Sequence, residues 1–102
     1  MITIKLFCAS GMSTSVLVNK MKEAAKTKGV DAEIIAFPES QMDAHLDSMD
    51  VALLGPQVAY TLGKAKKICE PKGVPVEVIP MVDYGMMNGG KVLDLALSLI
   101  KK

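Results

Sequence analysis

Ile2, Ile4 and Leu6 interleave with Thr3, Lys5 and Phe7 at the start of the chain, the period-two spacing of a strand. The spacing then changes to that of a helix. Leu17, Met21, Ala24 and Ala25 share one face of a helix predicted to run to about Lys28, with Ser13 or Thr14 as its cap and Gly29 as its stop. A second strand is predicted over Ala32 to Phe37, broken by Pro38, after which Met42, Leu46 and Met49 recur at helical spacing. Val51 to Leu54 is an all-apolar run, the pattern of a strand covered on both faces. "GPQ" ends it, and Val58, Leu62, Ala65 and Cys69 stripe a third helix. Pro75 to Pro80 holds a fourth strand, "MVDYGMMNGG" reads as a loop, and Val92, Leu93, Ala96, Leu97 and Ile100 stripe a last helix.

Strand and helix thus alternate through the chain. Short connections and right-handed crossovers make this an α/β fold, a four-stranded parallel sheet in the order 2-1-3-4 with helices on both faces. At 102 residues the expectation is one domain, 1–102, with a single core. In such sheets ligands bind beyond the carboxyl ends of the strands, where the strand order reverses. Three unusual segments fall there: "FCASGMSTS", "GPQ" and "VDYGMMNGG".

Composition narrows the chemistry. Half of the residues are hydrophobic but few are aromatic, so the core is aliphatic, and a net charge of +1 provides no basic field for nucleic acid. The chain opens without the features of a leader, and no apolar run nears the roughly 18 residues of a membrane span. The expectation is a cytoplasmic protein with no membrane insertion and two free thiols, Cys8 and Cys69. One histidine and two distant cysteines do not make a metal site.

The first of the three segments carries the chemistry. After Cys8 the chain must turn into a helix, whose first N–H groups lack partners and whose dipole adds partial positive charge. Gly11 allows an anion close to the backbone, and Ser10, Ser13, Thr14 and Ser15 offer hydroxyl donors. Residues Ala9, Ser10, Gly11, Met12, Ser13, Thr14 and Ser15 would then form a phosphate-sized cradle facing an activated Cys8 sulfur. An isolated cysteine is more often a buried small hydrophobe. The strand, glycine and hydroxyls around this one reverse that.

"FCASGMSTS", "LLGPQVAY" and "DYGMMNG" together resemble the enzyme IIB component of the lactose/cellobiose class of sugar phosphotransferase systems, in its cellobiose or β-glucoside branch. The resemblance covers essentially the whole chain. It implies a phosphotransferase that works as a phosphocarrier without a cofactor. Cys8 would take a phosphoryl group from a phosphohistidine on the IIA protein and pass it to a sugar entering through the membrane IIC protein. Its fold resembles that of low-molecular-weight tyrosine phosphatases, whose loop reads Cys, five residues, Arg. Thr14 stands at the arginine position, and all 12 basic residues of this chain are lysines. Without that guanidinium fork the loop suits a carrier better than a hydrolase, which is the alternative reading. A receiver-like binding module, the third class, would need an acidic cluster at the strand ends.

Asp83 and Tyr84 follow the fourth strand, where those phosphatases place a general acid. They are read either as rim or partner contacts or as plain turn residues. Gln57 after Gly-Pro is a candidate donor to phosphate or partner, or simply part of a turn. Met12, Met81, Met86 and Met87 suit an adaptable docking surface at the same edge. Cys69 is read as core, and His45, a rival phosphate carrier, as an exposed side chain. The sugar is not legible in the chain.

Overall fold

The computed structural model describes residues 2–8 and 11–100, with the side chains of 11–14, 46 and 47 outside that description. Strands β1 (Ile2–Cys8), β2 (Ala32–Pro38), β3 (Val51–Leu54) and β4 (Val76–Val78) form one parallel sheet in the order β2-β1-β3-β4. The predicted order is the observed one. β1 lies in the middle because its alternation feeds two cores at once. Ile4, Leu6 and Cys8 join Leu17 and Met21 of α1 (Gly11–Lys28) and Val92, Leu93 and Ala96 of α4 (Gly89–Ile100) on one face. Phe7 faces the other way, with Met42, Val58, Ala65 and Cys69. β3 divides likewise, Val51 and Leu53 to the first core and Ala52 and Leu54 to the second.

Several elements depart from the sequence pattern. α1 begins at Gly11, so Ser13 and Thr14 lie in its first turn rather than capping it. At its other end the expectation holds. Gly29 has φ 70° and Val30 N–H donates to Ala25 O at 2.8 Å, closing the last turn. β2 runs on through Pro38, which an edge strand tolerates because no ladder N–H is required there.

Glu39–Ser48 forms a 3-10 helix, not an α-helix, and Met49 lies outside it. Among its described side chains, Met42 is buried, and His45 and Ser48 reach Lys5 on the sheet. That is a spacing of three, the period of the tighter helix.

The stripe beginning at Val58 is also split. Pro56–Thr61 is 3-10, with a non-helical kink at Val58, and α2 covers only Leu62–Cys69. "MVDYGMMNGG" contains a short helix, α3 (Met81–Gly85), then Met87 at φ 52°. Asn88 caps α4, its Oδ1 accepting from Lys91 N–H at 3.2 Å. α1 and α4 are joined at the surface by Lys28 and Asp94.

Candidate functional site

The register aligns the carboxyl ends of the strands. Cys8 pairs with Pro38 across β2, Phe7 with Leu54 and Leu54 with Val78. The ladder continues one residue beyond, with Gly55 N–H donating to Phe7 O at 2.9 Å and Ile79 N–H to Leu54 O at 2.8 Å. The segments after β1, β3 and β4 therefore leave the sheet along one edge. The Cys8, Gln57 and Asp83–Tyr84 segments come together there as the strand order requires.

Cys8 is the last residue of β1 and only 1% exposed. Ala9 and Ser10 lie outside the described residues, as do the side chains of Gly11, Met12, Ser13 and Thr14. α1 starts three residues after Cys8, and the N–H groups of its first turn have no acceptor within their own helix. Ser15 is exposed on α1. On the β3 side the sulfur is approached by the Gly55 backbone. A Cβ built there would stand 2.8 Å from Cys8 Sγ and 2.7 Å from Gln57 Oε1. Gln57, exposed as a residue, thus turns its carboxamide back toward the cysteine.

Asp83 and Tyr84 sit on α3 and not in an open turn. Asp83 is half-buried, but Tyr84 is 7% exposed and belongs to the same core cluster as Cys8. Tyr84 is therefore not a rim side chain. Val82 is exposed, and the residue two positions after it on α3 is turned to the opposite face of the helix. Of the methionines, Met81 and Met86 are exposed, Met87 packs against the core, and the Met12 side chain is outside the description. Val16, Tyr60 and Val82 complete the exposed large apolar residues among those described, Tyr60 at 84% exposure. All of these exposed side chains are on segments that leave the carboxyl ends of β1, β3 and β4. Tyr60 in "LLGPQVAY" stands two residues from both Val58 and Leu62, the offset that turns a helical residue away from their stripe, and this was the sequence signal for its exposure.

His45 is not simply exposed. It is half-buried, its ring stacked on Phe37 at 3.9 Å between centroids, with Nδ1 3.3 Å from Lys5 Nζ. Lys5 is itself only 5% exposed and donates to Ser48 Oγ at 2.6 Å. The lysine in the middle of "ITIKLFC" was the sequence signal for this polar contact under the sheet. Among the described residues no group of three His, Cys, Asp or Glu side chains is placed to hold a metal.

Cys69 is fully buried in the second core, its thiol 3.8 Å from Met42 Sδ. Burial pushes the thiol above its ordinary value of 9.0, and the Asp43 carboxylate adds to the shift. Cys69→Ala should cost about 1–2 kcal/mol, as small core truncations do, without touching the Cys8 edge. The raised thiol also has a pH consequence. Its stabilisation is intact below 9.0 and is lost as the pH rises past that value, because the unfolded chain ionises first. Urea unfolding at pH 8 and pH 10 should therefore show a steeper alkaline loss in wild type than in Cys69→Ala. Equal losses would remove Cys69 as the cause.

A parallel sheet in this order, with a cysteine closing its central strand and a helix starting just after, has the phosphatase-like architecture of phosphotransfer domains. The family model for the phosphotransferase-system (PTS) lactose/cellobiose-specific IIB subunit matches residues 3–95, and the chain belongs to that family. It is 50% identical over 102 residues to the PTS galactose-specific EIIB component of Lactococcus lactis subsp. cremoris, covering 95% of this chain and 94% of the relative. It has the same identity and coverage with the cellobiose-specific EIIB component of Lactococcus lactis subsp. lactis. The solved cellobiose-specific IIB component of Borrelia burgdorferi superposes with a TM-score of 0.81 at 42% identity, over 98% of this chain and 92% of that one. IIB components are phosphotransferases that deliver a phosphoryl group to sugar and work with IIA and IIC partners. No helix among the described residues is long and apolar enough to cross a membrane.

Proposed function

We propose that the chain, as one IIB domain over 1–102, carries the phosphoryl group on Cys8. The donor is a phosphohistidine on a cytoplasmic IIA protein, and the acceptor is a sugar held by the membrane IIC permease. The observation that carries this reading is the position of Cys8 at the end of the central strand, directly before the N-terminus of α1. Residues Ala9 to Ser15 hold the phosphate through backbone N–H groups and hydroxyls, which takes over the charge neutralisation a metal would give. The exposed Val16, Tyr60, Met81, Val82 and Met86 around that edge suit transient docking of two different partners in turn. Asp83, half-buried behind Met81 and Val82, serves as a partner contact, and Tyr84 acts from the core by holding α3 in place. The sugar is cellobiose or a related β-linked disaccharide, a reading supported by the cellobiose-type "CASGMSTS" segment.

The test is phosphorylation by the phospho-IIA donor, with the modified residue mapped by mass spectrometry. One phosphoryl group per chain, on Cys8, is the expected result. Label on His45, or steady turnover of an aryl phosphate without any donor, would replace the carrier with a different histidine carrier or with a hydrolase.

A further inference from the structure

Gly55 has φ −64° and ψ 151°, an extended conformation that any L-residue adopts. The glycine is therefore not needed for its backbone freedom. What it supplies is room. A Cβ there would stand 2.8 Å from Cys8 Sγ, 3.4 Å from Cys8 Cβ and 2.7 Å from Gln57 Oε1, so the sulfur and the carboxamide converge on the same slot. The slot cannot widen easily. Gly55 N–H is tied to Phe7 O at 2.9 Å, and Gly55 O accepts from Val58 N–H at 3.0 Å.

We propose that Gln57 is a further residue of the transfer site, with Gly55 as the gap that lets it reach the sulfur. A carboxamide carries an acceptor and a donor that exchange places by a half-turn about its last bond. On this assignment Oε1, which shares the Gly55 gap with the sulfur, covers the thiol in the resting protein, in keeping with the 1% exposure of Cys8. Once a phosphoryl group is on Sγ, Nε2–H donates to one of its oxygens. The inference rests on Cys8 being the acceptor. In the step concerned, the sulfur attacks phosphorus, the S–P bond forms and the P–N bond of the phosphoimidazole breaks. The thiol proton ends on the imidazole nitrogen that leaves, so S-phosphocysteine and neutral imidazole are the products. A chain with no arginine thus offers a neutral donor at this point. A single uncharged donor orients the group without the cationic, two-pronged grip an arginine would give, and so leaves it transferable.

The test compares two rates at Cys8 in a Cys69→Ala background: alkylation by iodoacetamide, and phosphoryl uptake from phospho-IIA. In Gln57→Ala alkylation should rise severalfold because the cover is gone. Phosphoryl uptake should fall about tenfold, the scale of one lost hydrogen bond. Gln57→Glu keeps the shape but presents an anion to the phosphate, so alkylation should stay near wild type while uptake falls further. Gly55→Ala should slow both reactions. Opposite movement of the two rates in Gln57→Ala supports the assignment, since a residue that only holds the fold would move them together. Any other pattern in that variant overturns it. If wild-type Cys8 takes no phosphate from the donor, the carrier reading itself fails, and the amide's role toward phosphate fails with it. The alkylation rates still report whether Gln57 covers the sulfur.

Discussion

Gly89→Ala should melt more than about ten degrees below wild type, a large stability loss for the addition of one carbon. A Cβ on Gly89 would lie 2.3 Å from the Lys20 carbonyl carbon, 2.5 Å from Met21 N and 2.6 Å from Lys20 O. These are backbone atoms inside α1, so no side chain can swing away to make room. Relief requires α4 to move off α1. The side chains they bury between them and the sheet, Leu17, Met21, Val92, Leu93 and Ala96, are all fully buried, and a close-packed interior does not absorb such a shift. Overpacking of this kind costs about 3 kcal/mol or more, and each kcal/mol moves the midpoint of a domain this size by roughly 4–8 °C. Gly90→Ala is the control. A Cβ there meets only Asn88 Oδ1 at 3.7 Å, an ordinary contact, and alanine is the better helix former. It should melt at or above wild type. Thermal unfolding followed by circular dichroism reads both, and a Gly89→Ala midpoint within two or three degrees of wild type would count against the close approach.

The second glycine of the pair "NGG" and the first look identical in sequence, and only the crossing of α4 over α1 separates them. The same contrast holds across the molecule. Strand order was legible because each strand carries its own apolar pattern, and because short crossovers leave few ways to connect four parallel strands. The path between β2 and β3 was not. Met42, Leu46 and Met49 fit a helix of 3.6 residues per turn, but Met49 is buried from beyond the 3-10 helix, and within it two polar side chains, His45 and Ser48, reach Lys5. They turn inward because Lys5 on the sheet needs hydrogen-bond partners once buried, and a hydrophobic pattern carries no trace of that demand.

At the candidate site, Cys8 stood out because a strand, a glycine and a run of hydroxyls follow one another in the chain. The Gln57 carboxamide comes to the same gap at Gly55 as the sulfur only through tertiary register. Pairing Phe7 with Leu54 sets the next residue, Gly55, beside the sulfur, and the 3-10 helix from Pro56 brings the Gln57 carboxamide to that same gap. No local motif encodes that approach. Tyr84 fails for the opposite reason. "DYG" is ordinary turn sequence, yet the segment winds into α3 and buries the ring that a loop would have exposed.

Cys8→Ser should accept no measurable phosphoryl group from phospho-IIA, with a rate lower by on the order of a thousandfold or more, the scale on which losing a covalent nucleophile is felt. Serine keeps the shape of the side chain and exchanges sulfur for a far weaker nucleophile. Because Cys8 closes β1 and packs in the same cluster as Leu6, Leu17 and Tyr84, the variant also buries a hydroxyl. A hydroxyl there should cost about 1–2 kcal/mol where it finds no full partner, which leaves the protein folded under assay conditions. The loss of transfer is therefore separable from loss of fold, and circular dichroism on the same sample makes the separation. Cys69→Ala, which keeps the edge intact, should accept phosphate at the wild-type rate. The contrasting result would be a folded Cys8→Ser that takes up label at a wild-type rate on another residue. His45 is the one histidine, and its Nδ1 faces Lys5 Nζ while its ring is stacked on Phe37. A phosphoryl group on Nδ1 would have to displace that lysine from a part-buried contact, and the ring stacked on Phe37 would have to accommodate it. The cysteine edge has neither obstacle, which is why the activity should disappear with its sulfur.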